Sequence, residues 1–180
     1  MTEFEASESN QYLTFQLSEE IFALDIAKVR EVLEYTKVTK VPQTPEMMIG
    51  VINLRGSVVP VIDLRLKFGM GVSERTVNTC IIIIEVTIDD EVTLIGALVD
   101  SVKEVMEMNA DHIEPPPKIG TQLNTEFIKG MGKQNEQFVI ILNIEQIFSA
   151  AELSMVQQAS SDAAAGGDVP ETTAETLKSF

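Results

Sequence analysis

Residues 41 to 64 read Val41-Pro42-Gln43-Thr44-Pro45-Glu46-Met47-Met48-Ile49-Gly50-Val51-Ile52-Asn53-Leu54-Arg55-Gly56-Ser57-Val58-Val59-Pro60-Val61-Ile62-Asp63-Leu64. Two runs rich in β-branched residues, Val51 to Leu54 and Val58 to Ile62, flank Arg55-Gly56-Ser57. Gly56 supplies the positive φ that a tight hairpin turn needs. The stretch therefore predicts a β-hairpin with one fixed cation, Arg55, at its tip. Such a cation is either a solvated turn residue or a contact point, and the local pattern leaves both readings open. The Pro42-x-x-Pro45 segment breaks whatever precedes the hairpin, and Asp63 behind it can cap a short turn through Leu64 to Phe68.

Upstream, Tyr12 to Leu17 and Ile21 to Ile26 alternate as strands around the turn Ser18-Glu19-Glu20. Residues 27–34 fit a short helix by the spacing of Val29, Val32 and Leu33, and a strand by their β-branching, so their type stays open. Downstream, Thr79 to Val86 is apolar on both faces and belongs deep in the core, and Val92 to Val99 returns from the turn Asp89-Asp90-Glu91. Residues 100–106 then resemble residues 27–33 at an offset of 102 − 29 = 73. The same offset relates Phe22 to Ile95, Ile26 to Val99 and Pro42 to Pro115. A second block repeats at 130 − 50 = 80, and Gly50 is followed by Asp63 and Phe68 at the intervals that separate Gly130 from Asn143 and Phe148 (63 − 50 = 143 − 130 = 13; 68 − 50 = 148 − 130 = 18). Two matches in the same order predict a duplicated unit of about five strands, mainly β, each copy closing as a barrel to remove its edges. Units of about 60 to 70 residues are marginal alone, so the copies are expected to bury surface against each other.

The chain has 180 residues, 44% of them hydrophobic, and a formal net charge of −15. That charge argues against nucleic acid and an anionic membrane surface as partners, because phosphate would be repelled. The acidic N-terminus lacks the apolar core of a signal peptide, the longest apolar run falls far short of about 20 residues, and a cytoplasmic location is expected. The lone Cys80, within an apolar run, reads as a small buried hydrophobe. Residues 1–10 read as a flexible N-terminus and 149–156 as a C-terminal helix. The stretch 157–180, rich in Ala, Gly, Ser, Thr and acid, reads as a disordered acidic tail.

Side-chain catalysis needs a positioned base, nucleophile or metal, and the pattern offers none. His112 is the only histidine and lies in a polar turn before Pro115-Pro116-Pro117. Gly130-Met131-Gly132-Lys133 leads into Gln134-Asn135-Glu136, a turn with no helix N-terminus to hold phosphate. Met47-Met48 and Met106-x-Met108 fit either an adaptable docking surface or core filling. No cofactor and no metal is expected, and the reading is of a binding protein rather than an enzyme.

Over residues 11 to 150 the chain resembles the CheW-type chemotaxis coupling proteins. The resemblance is carried by Tyr12 to Phe15, Leu24-Asp25-Ile26, Val29-Arg30-Glu31-Val32, Gly50 to Gly56, Val59 to Leu64, Val99 to Val102 and Ile113 to Pro116. It implies a single CheW-like domain over 11–156 with two intertwined SH3-like five-stranded β-barrels, short helices and a C-terminal helix. It also implies a non-enzymatic adaptor, monomeric by itself within a larger array at the membrane but without direct membrane contact. Its partners would be the cytoplasmic helical tip of methyl-accepting chemoreceptors and the regulatory domain of the histidine kinase CheA. Positions matching the receptor-contact pattern are Val29, Glu31, Gly50, Arg55, Ile95 and Val102, around an apolar groove between the lobes. Kinase contacts map onto Val41, Pro42, Glu114, Lys118 and Ile119. Related readings are a CheV-like adaptor or a CheA-regulatory-like domain, which the chain length disfavours. A small-molecule sensor is a further reading, and an enzyme using the inter-lobe groove would require polar groups where Val29, Ile95 and Val102 stand.

Because 157–180 lacks apolar periodicity, removal of 162–180 is expected to leave the thermal midpoint nearly unchanged. A calorimetric drop of more than about 4 °C, the size of a 1 kcal/mol effect in a domain of this length, would show instead that the tail docks.

Overall fold

The computed structural model describes residues 11–42, 44–71, 74–88, 90–115, 127–134 and 136–147. The N-terminus, the expected C-terminal helix over 149–156, the acidic tail, Lys118 and Ile119 lie outside them. β1 (Gln11–Leu17) and β2 (Glu20–Asp25) form the first hairpin. A 3-10 turn over Ile26–Lys28, capped by the Asp25 carboxylate accepting the Ala27 N–H, leads into β3 (Val29–Glu34). β3 pairs antiparallel with β6, with a register shift between Val29 and Glu31, and this pairing settles the strand reading.

β4 (Met48–Leu54) and β5 (Ser57–Asp63) form the hairpin read from residues 41–64. Its turn is two residues long, not three. Ser57 already pairs with Leu54, and Arg55 shares the positive φ (49°) with Gly56 (91°), the geometry that matches strand twist in the tightest hairpins. Asp63 then caps α1 (Leu64–Lys67), its carboxylate accepting the Arg65 and Leu66 N–H groups. β6 (Cys80–Ile88) and β7 (Glu91–Val99) make a long hairpin, and β8 (Ser101–Glu107) follows as a strand. A 3-10 turn over Ala110–His112, the hairpin of β9 (Ile128–Gln134) and β10 (Gln137–Leu142), and α2 (Ile144–Ile147) complete the described chain.

The strands form two five-stranded sheets, ordered β8-β1-β2-β10-β9 (lobe I) and β3-β6-β7-β5-β4 (lobe II). Each sheet is a hybrid of the two sequence repeats. The first hairpin of one copy sits between the third strand and the last hairpin of the other. Substituting β6 to β10 for β1 to β5, and the reverse, turns one order into the other, so the duplication is also an exchange. The register repeats with it: Val61 faces Gly96 in the parallel β5–β7 pair and Ile141 faces Ala23 in the β10–β2 pair, where 61 + 80 = 141 and 96 − 73 = 23.

Each central strand is buried on both faces. Ile81 and Ile83 of β6 join Ile52, Val59, Val61 and Leu98 inside lobe II, while Ile82 and Ile84 face a larger cluster shared by the lobes. β10 divides likewise, with Val139 and Ile141 inside lobe I and Leu142 in the shared cluster. This two-sided burial explains why the strand sequences are apolar without alternation. A chain of rings crosses the shared cluster, Phe15 to Phe22 to Phe68 to Phe127, with centroids 5.9, 6.0 and 5.8 Å apart. Phe15 and Phe22 belong to lobe I and Phe68 to lobe II, so these contacts, worth about 1 kcal/mol each beyond their area, tie the lobes together. Met47, Met48, Met106 and Met108 are all core residues.

The sheets close through matching straps. Beyond β3 the chain crosses to the opposite edge of its sheet, where Thr39 and Val51 exchange N–H···O bonds of 2.9 and 2.8 Å. Glu114 and Met131 exchange 2.9 and 2.8 Å bonds in lobe I. Gly50, at φ 150°, lies under the first strap, where a Cβ would run into the Thr39 carbonyl and Val38. Gly130 underlies the second, with a Cβ position 3.0 Å from the Glu114 carbonyl. The repeated glycine therefore marks the crossing of a strap over a barrel. Gly50→Ala is expected to cost about 3 kcal/mol, combining backbone strain with overpacking, against about 1 kcal/mol for Gly56→Ala, which meets open space. Denaturant midpoints check the contrast, and equal losses would refute the strap account.

Candidate interaction surface

Val29 on β3 pairs with Ile84, which pairs with Ile95. In lobe I, Val102 on β8 pairs with Phe15, which pairs with Phe22. The two rows are equivalent under the duplication, and both bear on the shared cluster. Val29 and Val102 are half-buried at its margin, whereas Ile95 is 1% exposed and packs wholly within it. Ile95 thus supports the surface from below and offers a partner no area of its own. Gly50 is also buried, and its role here is to admit the strap.

Glu31 and Arg55, expected as separate rim charges, are bonded to each other as an ion pair. They come from β3 and from the tip of the β4–β5 hairpin, strands at opposite edges of the sheet, so the pair spans the seam where the barrel closes. The Asn53 side chain accepts the Gly56 N–H at 2.8 Å and stiffens the turn that carries Arg55. The Arg55 side chain remains 69% exposed against 27% for that of Glu31. Two exposed apolar residues were not singled out from the sequence: Val32 on β3 and Val105 on β8, equivalent at the 73 offset (32 + 73 = 105). The duplication was the signal that pairs them, but their exposure depends on the strand register.

Of the kinase-contact positions, Val41 lines an open groove of about 390 Å³ with Tyr35, Val38, Pro45, Met48 and Ile49. Pro42 is exposed beside it. Glu114 is exposed on the lobe I strap, far along the chain from both. Cys80 is less buried than its apolar run suggested. It packs at the edge of the shared cluster with its thiol 3.3 Å from the Asn78 carbonyl, and desolvation pushes its pKa up, away from the reactive thiolate. His112 is exposed on its 3-10 turn. Among the described residues, no three His, Cys, Asp or Glu side chains gather into a group able to hold a metal ion. No described helix is long and apolar enough to cross a membrane.

Two closed β lobes that share one interior, with charged and apolar side chains exposed along their strands, have the architecture of a scaffold. The CheW-like domain family matches residues 11–152. The chain is 36% identical over 146 residues to a chemotaxis protein CheW of Klebsiella aerogenes, covering 81% of this chain and 86% of that one. It is 33% identical over 137 residues to the CheW of Helicobacter pylori, covering 76% and 80%. The crystal structure of a scaffolding protein, TtCheW from Thermoanaerobacter tengcongensis, superposes with a TM-score of 0.72 at 37% identity, over 80% of this chain and 90% of that one. The chain belongs to the CheW-like family, the adaptors of chemotaxis signalling.

Asp63 belongs to the scaffold beneath this surface. It is buried, and desolvation raises its pKa despite the two amide donors and the nearby Arg75 and Arg65. A carboxyl that holds its proton more tightly when folded stabilises most below its unfolded pKa, and that contribution fades as pH rises through the folded value. Asp63→Asn keeps the capping acceptor and removes the charge, and Asn is the residue found at the repeat position (63 + 80 = 143). Its stability relative to the parent is therefore expected to rise as pH increases from about 4 through the raised folded-state pKa, with Asp63→Ala about 1 kcal/mol below the Asn variant throughout. Urea titrations across that range check both; a pH-independent difference between parent and Asn variant would contradict the desolvation account.

Proposed function

We propose that this protein is a non-enzymatic adaptor that joins the cytoplasmic helical tips of chemoreceptors to a histidine kinase of the CheA type. The observation that carries this reading is the pair of equivalent rows, ending in half-buried Val29 and Val102, that the duplication sets on the two lobes around one shared apolar cluster. A helical hairpin is an apolar ligand with its own approximate two-fold character, and it suits such a surface in the helix-in-groove manner. Exposed Val32 and Val105 extend the apolar area, and Arg55 with Glu31 supplies the polar rim that fixes register. The groove beside Val41 and Pro42 and the strap residue Glu114 are then the kinase-facing positions. Simultaneous contact with receptor and kinase stabilises the signalling geometry by raising the effective concentration of each for the other. The location that goes with this role is the cytoplasm, at receptor arrays.

Arg55→Ala is expected to fold with nearly parental stability, since an exposed ion pair contributes about 0 to 1 kcal/mol. It is expected to weaken binding of a receptor-tip fragment by about 1 to 2 kcal/mol. Val105→Asp, which places an unpaired charge on the apolar extension, is expected to weaken it further, with kinase binding in the absence of receptor changed less in both. Parental affinity of Arg55→Ala in a titration at low ionic strength, where screening cannot mask the contact, would sink the rim assignment.

A further inference from the structure

The backbone passes between the lobes through two equivalent joints, β2 to β3 and β7 to β8. Each joint is tied by an ion pair to the short helix that follows a parallel-paired strand. At the second joint the Asp100 carboxylate accepts Arg65 Nη1 of α1 at 2.9 Å and the Ser18 N–H of the β1–β2 turn at 2.7 Å. The Asp100 N–H itself donates to the Gln16 carbonyl at 3.1 Å. Arg65 is further held by its Nε–H donating to the Gly71 carbonyl at 3.2 Å. One carboxylate therefore binds an element of lobe II and an element of lobe I at once.

At the first joint the corresponding contact is Lys28 Nζ to Glu145 Oε2 of α2, 2.8 Å. The duplication places Glu145 where Arg65 stands (65 + 80 = 145) and Ala27-Lys28 where Asp100-Ser101 stands (27 + 73 = 100). Each joint thus carries an ion pair to the equivalent helix position with the charges reversed, the joint residue lying one place further along at the first (28 + 73 = 101). They differ in burial: the Arg65 and Asp100 side chains are 12% and 29% exposed, those of Lys28 and Glu145 38% and 44%. A shielded pair with further hydrogen bonds holds its geometry, whereas an exposed one is weakened by water and salt.

We infer that Asp100 is a positioning residue that fixes the angle between the lobes, and with it the width of the surface between Val29 and Val102, while the Lys28–Glu145 tie is a soft counterpart. Only the binding consequence rests on the between-lobe docking proposed above; the angle itself does not. The test uses full-length protein in a Cys80→Ser background, spin-labelled at Glu91 in lobe II and Gln137 in lobe I, with a Glu34 and Glu91 pair as a control within lobe II. Asp100→Ala is expected to shift and broaden the inter-lobe distance distribution, leave the control pair unchanged, and weaken receptor-tip binding about tenfold, within the range of coupling between sites. Asp100→Asn keeps an acceptor for the Ser18 N–H and loses the ion pair, so it moves the distances in the same direction if the alanine variant folds poorly. Lys28→Ala leaves them as in the parent. Parental inter-lobe distances in folded Asp100→Asn, or an equal shift in Lys28→Ala, overturn the inference. Shifted distances with parental receptor affinity uphold the tie and count against docking between the lobes.

Discussion

Neither half of this chain can complete a sheet by itself. The parallel pairings β5–β7 and β10–β2 join strands from different repeats, and they put the central strands where both faces are covered. Everything else follows from that exchange. The lobes share an interior because their strands do, the connecting segments must pass from lobe to lobe, and the straps close each sheet where its outer strands would stand open. The barrels are thus two views of one interlocked core.

The hairpins, the capped turn at Asp63 and the duplication were legible in the sequence, because each is written in local chemistry: turn residues, β-branching, a capping oxygen, a repeated spacing. The type of residues 29–34 was not, since Val29, Val32 and Leu33 satisfy two periodicities and only the pairing with β6 decides between them. The exchange between copies was not visible from the repeat either. Offsets of 73 and 80 say which strands are equivalent, and nothing in equivalent strands says whose partner each takes; the intertwining entered through family resemblance. The Glu31–Arg55 contact was hidden for a related reason, because it joins opposite edges of a sheet and exists only once the barrel closes. Ile95 shows the converse limit. A residue can match a contact pattern and yet lie wholly beneath the surface it supports.

Set in the CheW-like family, these features make a scaffold organised by its own symmetry. The related rows ending in Val29 and Val102 give apolar patches of matched halves, while Arg55, present in one half only, breaks the match. An acidic chain with few cations has few ways to mark direction, and one of its two-residue hairpin turns holds one of them.

The exchange of hairpins also orders the events of synthesis. Lobe II is built from the continuous segment 29–99, whereas lobe I needs 11–25 together with 101–142. As the chain leaves the ribosome, lobe II has its strands in hand while the β1–β2 hairpin waits, its edges open, for β8 and finally β10. An apolar hairpin left unpaired for that interval is the part of the nascent chain most exposed to wrong pairing. Of the described strands, the first to be made are among the last to be secured, so the lobe that is started earlier is completed later.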